Sequence, residues 1–188
     1  AHNGDPKTGQ DIKLIPLNKT DKQTWQFIAT SDFTVISYQI FAFDLSVRTA
    51  YLDSERGFFN GSSTFLQVQE LPDEKCQLSI LLPENVIKTS PNKLTHWRVA
   101  TGLTREKATE KYQFGNYIAQ DYQELIDCPV AIGNFDAFEF TVEGVVHHLV
   151  FTSQHFGDRE RLKADIAKLC QHHISLFGEA PFKEYWFI

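Results

Sequence analysis

A chain of 188 residues is long enough for one sizeable core, or for one domain and the start of another. Its net charge is -6, and its 18 Lys and Arg are dispersed with no basic stripe, which argues against nucleic acid as a partner. No apolar run approaches the ~18 residues of a membrane span, so no membrane role is expected, and the 16 Phe favour a β-type core over a helical bundle.

The first residues, AHNGDPKTGQ, are polar, carry no signal peptide and read as a loop. The chain contains no Met and opens at Ala1, so it reads as processed or excised. Ile12, Leu14 and Leu17 predict a short strand, and Trp25, Phe27 and Ala29 another. Val35 to Leu45, VISYQIFAFDL, is apolar on both alternating faces, as in a strand covered on both sides. Thr64 to Val68 and Cys76 to Leu82 predict two further strands, joined by the turn residues LPDEK. Pro83 to Lys93 reads as a loop, Trp97 to Ala100 as a short strand, and Arg105 to Lys111 as an exposed charged stretch. Tyr122 to Ile126 reads as one or two helical turns.

Phe135 to Val142 and Val145 to Phe151 alternate around Glu143-Gly144, which predicts a hairpin. Asp158 to Phe177 predicts a helix, with Asp158 as N-cap and Gly178 as the stop. Leu162, Ile166, Leu169, Cys170, His173 and Phe177 are expected on its buried face. Phe182 to Ile188, FKEYWFI, predicts a last strand. Strands, then a helix and a fresh strand, imply two architectural units. The expected division is a β-sandwich domain over 1–153 and a second unit over 154–188.

Chemistry-bearing residues are present without the spacing that chemistry needs. A zinc site of the H-E-x-x-H kind sets two His at i and i+4 on one helix face, with the Glu as base. Here His147-His148 and His172-His173 are adjacent pairs, and adjacent side chains diverge on a strand or a helix. No His precedes a Glu. Cys76, Cys128 and Cys170 are too few and too far apart for a disulfide framework or a zinc finger, and read as buried free thiols in a reducing, cytoplasmic compartment. The sequons at Asn18 and Asn60 carry little weight beside that pattern. The carboxylate pairs Asp53-Glu55, Asp73-Glu74 and Asp158-Glu160 fall in turns or at the helix start. No G-x-S-x-G, P-loop or G-x-G-x-x-G is present. The chain is therefore expected to hold no catalytic, cofactor-binding or metal-binding residue.

Four segments carry a resemblance. They are YQIFAFDLSVRTAYLDSERGFFNG from Tyr38, HWRVATGL from His96, DYQELIDCPVAIGNF from Asp121, and FGDRERLKADIAKLCQHHISLFGEAPFKEYWFI from Phe156. In order and spacing the chain resembles the bacterial glycyl aminopeptidases, zinc metallopeptidases of the thermolysin-like superfamily. The resemblance implies an antiparallel β-sandwich lacking its first strands, then a linker helix and the first strand of a thermolysin-like catalytic domain. It implies that the zinc ligands and the H-E-x-x-H helix lie after Ile188, so zinc is expected in the parent catalytic domain and no family residue for it maps onto this chain. Its partner would be the remainder of the parent peptidase, with a peptide substrate only in the full protein. A free-standing β-sandwich module for glycan or protein ligands is the competing expectation.

Overall fold

The computed structural model describes residues 2–3, 13–30, 32–84, 88, 94 and 96–188, so the loops expected over 1–10 and 83–93 lie largely outside the described residues. Two compact units divide at Ile40 and Phe41. Among its described residues the first holds five two-residue strands: β1 His2–Asn3, β2 Lys13–Leu14, β3 Asn18–Lys19, β4 Trp25–Gln26 and β5 Thr34–Val35. β1 pairs antiparallel with both β2 and β5, and β3 pairs antiparallel with β4. The β3–β4 turn is closed by Asp21, whose Oδ1 accepts the Gln23 and Thr24 amides at 2.8 and 2.7 Å. Lys19 lies 5.2 Å from the Trp25 ring centre across the same pair.

The second unit begins with β6 Ala50–Leu52, β7 Arg56–Phe59, α1 Gly61–Thr64 and β8 Cys76–Ile80. It continues through β9 Arg98–Thr101, β10 Thr104–Arg105, β11 Gly115–Ala119, α2 Tyr122–Asp127 and β12 Val130–Gly133. It closes with β13 Asp136–Val142, β14 Val145–Phe151, α3 Arg159–Phe177 and β15 Glu184–Phe187. The fold is mainly β, with antiparallel sheets and, among the described residues, one long helix before the final strand.

Three sheets stack in this unit, and the sequence shows why. The middle sheet runs β6-β7-β12-β9. Side chains alternate faces along each of its strands. Val99 and Val130 join Ile80, Tyr117 and Leu125 in one core, against the sheet β10-β11-β8 and α2. Their neighbours Ala100 and Ala131 join Phe135 and Val150 in a second core, against the sheet β13-β14-β15. Phe59 and Phe58 divide between the two cores in the same way. The small side chains of Ala100 and Ala131 face the third sheet, and both are wholly buried.

The third sheet mixes directions. β13 and β14 form the hairpin expected from Glu143-Gly144, and both turn residues have positive φ (49° and 79°), the conformation that suits a two-residue hairpin loop. The chain then crosses through α3 and returns as β15, parallel to β14. Asp158 caps α3 by accepting the Glu160 and Arg161 amides at 3.0 and 3.2 Å, and Gly178 ends it at φ 86°.

Several sequence expectations are corrected. Val35 to Leu45 is no continuous strand covered on both sides. Within the second unit only Phe43 bridges, to Tyr51, and Phe41 and Phe43 are exposed. The strands that are covered on both faces are β9 and β12, whose four residues each are too short for their periodicity to stand out. Thr64 to Val68 forms no strand, because Asn60 caps the α1 turn by accepting the Ser62 amide and the Phe65 amide closes it onto Gly61. On α3 the sheltered stripe is Leu162, Ile166, Cys170 and Ile174, while Leu169, His173 and Phe177 face outward. A stripe spaced strictly by four turns away from one that steps by three and four.

Candidate functional site

β14 sets His147 and His148 on opposite faces, as adjacent strand residues must be. His147 is buried against aromatic rings, stacked on Phe140 at 5.2 Å between centres, and its Nδ1 lies 3.1 Å from the Val145 carbonyl. His148 is only 2% exposed and stacks on Trp186 of β15 at 4.0 Å. Its Nδ1 lies 3.4 Å from Glu139 of β13, and its Nε2 lies 3.3 Å from Glu184 of β15. Neither nitrogen is aligned for a hydrogen bond. Lys111 completes the group, with its Nζ 2.5 Å from the same Glu139 oxygen.

The electrostatics follow from that placement. Burial is the first cause holding the His148 pKa below its usual value, and the Lys111 charge the second. Glu184 and Glu139 pull the other way. Glu139 is lowered chiefly by its hydrogen bond from Lys111. The imidazole is therefore favoured as the neutral base.

This cluster does not fit zinc. The two carboxylates approach opposite ends of one imidazole, so the three groups cannot converge on one ion. Among the described residues no three His, Cys, Asp or Glu side chains gather as a metal site would require. His172 and His173 sit exposed on α3 with ring centres 6.1 Å apart. His155 is held instead by Asp136, 3.0 Å from its Nε2, and the same carboxylate takes Arg159, pinning the start of α3 to β13.

The other candidate groups are structural. Asp53 accepts the Glu55 and Arg56 amides at 2.7 and 2.8 Å, and those bonds lower its pKa. Asp158 is the α3 cap. Cys128 lies against Gly102, and burial pushes its thiol up to about 11, which leaves almost no thiolate for nucleophilic chemistry at neutral pH. Cys76 and Cys170 are also raised by burial, and all three are free thiols. Arg98 donates to the Phe135 carbonyl and lies 4.2 Å from the Phe135 ring centre, joining the middle sheet to the third.

The layered sheets of the second unit extend to Gly133 before the third sheet begins. The family profile of the Peptidase M61 N-terminal domain matches residues 6–134. The chain belongs to that family. A solved aminopeptidase N family protein from Idiomarina loihiensis is similar over 93% of this M61 chain, at 37% identity and a TM-score of 0.77. The M61 chain spans 28% of that protein's length. No curated protein matches it. The β13–β14 hairpin, α3 and β15 lie beyond the matched residues.

Proposed function

We propose that this chain is the non-catalytic N-terminal portion of a zinc-dependent aminopeptidase that releases small N-terminal residues such as Gly. It supports the catalytic domain and helps wall the pocket for the substrate N-terminus. The match to the M61 N-terminal domain carries the reading, supported by the aminopeptidase N family likeness and the 28% share of that longer protein. Catalysis then rests on parts that this chain does not contain, since it has no H-E-x-x-H. Bound elsewhere in the parent, zinc would supply Lewis-acid activation of water.

The surface after the M61 domain supports the same reading. Leu169, Leu176 and Phe177 form an outward apolar stripe on α3, with Phe177 75% exposed. β15 leaves one edge of its sheet unpaired among the described residues. Both are surfaces that a following domain would cover. On this reading the sheet β13-β14-β15 opens the catalytic domain, with the change of domain at Asn134 and Phe135. The free thiols support a cytoplasmic location. No described helix is long and apolar enough to cross a membrane.

The test compares the full-length protein with residues 1–188 for glycyl-anilide hydrolysis and bound zinc. Activity and stoichiometric zinc are expected only in the full-length protein. Hydrolysis by residues 1–188 alone, or a full-length protein inert toward every aminoacyl anilide, would sink the reading.

A further inference from the structure

A cavity of about 660 Å³ opens beside β15, between that strand and the segment from Val99 to Tyr117. Its volume lies within the range of ~300–1,000 Å³ typical of small-molecule sites. Four cations line it, Arg105, Lys107, Lys111 and Lys183, against two carboxylates, Glu106 and Glu184. The charges are not mutually satisfied. Lys111 is engaged by Glu139, outside the lining. Glu106 accepts a hydrogen bond from Gln77 at 3.0 Å, and Glu184 lies 3.3 Å from His148 without a hydrogen bond to it. Arg105, Lys107 and Lys183 have no ion-pair partner among the described residues. Trp186 forms part of the wall, and its indole N–H also lacks an acceptor.

This concavity thus carries more cations than carboxylates, on a chain whose net charge is -6. Clustered like charges in a recess focus the field and draw a counter-ion of opposite sign. A multivalent anion can meet several of these cations at once.

We propose that this cavity binds a small multivalent anion, bearing phosphate or several carboxylates, between Arg105, Lys107 and Lys183. The proposal does not rest on the peptidase reading, because it is argued from the lining of the cavity alone.

Calorimetric titration of the full-length protein with pyrophosphate and with citrate tests it. At least one probe is expected to bind, more weakly as salt is raised. K107E/K183E is expected to weaken that binding at least tenfold at an unchanged Tm and unchanged peptide hydrolysis. K107Q/K183Q, which keeps neutral side chains, serves if charge reversal disturbs folding and should also weaken it. Loss of pyrophosphate binding alone assigns a phosphate ligand, and loss of citrate binding alone a polycarboxylate. Binding that survives both double variants, or no binding of either probe, overturns the proposal. So does capture of an acidic peptide when neither small anion binds, since the surface would then serve a macromolecule.

Discussion

Two apolar stretches of the second unit meet opposite fates. Val130 to Gly133 of β12 lies in the middle sheet, paired by β7 and β9 and covered on both faces. Phe41 to Val47, apolar at five of its seven positions, makes one bridge, and Phe41, Phe43, Leu45 and Val47 are all exposed. An apolar pattern therefore records that a surface needs cover, not that this chain supplies it. Among the described residues of the second unit, β12 finds its cover and Phe41 to Val47 does not.

The sharpest way to break this contrast is to open the layered region. Tyr117 is 1% exposed and donates to the Gln113 carbonyl at 2.5 Å. Tyr117→Ala is expected to cost about 3–5 kcal/mol, the scale of other aromatic-to-Ala core changes. Urea unfolding of residues 1–188 checks it, and a cost under about 1 kcal/mol would mean that the sheets do not share a tight core.

Overfilling the same region should cost less. Ala131 is wholly buried between the middle and third sheets. Ala131→Phe is expected to destabilise by about 1–3 kcal/mol. A neutral result would show that the two layers separate easily.

Acidification should have a smaller effect, through His148. The unfolded chain takes up this proton near pH ~6.5, whereas burial and Lys111 delay it in the folded state to lower pH. The resulting stability is fully present above that unfolded value and is lost as pH falls through the folded pKa. The urea midpoint of the wild type is expected to drop between pH 7.5 and 5 by more than that of His148→Gln. Equal drops would assign the acid sensitivity to other groups.

The smallest effect belongs to the uncovered stretch. Phe43→Ala in residues 1–188 is expected to change stability by no more than about 0.5 kcal/mol, as for other exposed positions. The same substitution in the full-length protein should cost several-fold more if the rest of the protein covers Phe43. Equal small costs in both settings would remove the explanation offered here for its exposure.

How much of this was legible depends on whether the decisive contact is local. The α3 helix carried its own start and stop in Asp158 and Gly178. The hairpin carried its turn at Glu143-Gly144, and a two-residue turn there fixes Glu139 opposite His148. Half of the His148 cluster could thus be read from the sequence. Glu184 and Trp186 could not, because β15 returns in parallel after a helix and its register is set by tertiary packing. β9 and β12 were hard to weigh for a different reason. Each is four residues long, and their most informative side chains, Ala100 and Ala131, matter for being small. The cavity beside β15 was equally hidden, since Lys183 lies far in sequence from Arg105 and Lys107.

The double cover of β12 sets how its amides meet solvent. Each neighbour holds one side of the strand, and a layer of side chains seals each face. No local fluctuation can admit water to such amides without parting two sheets. Their deuterium uptake should therefore proceed only by global opening, so the slowest-exchanging protons of β12 would read out the stability of the whole second unit.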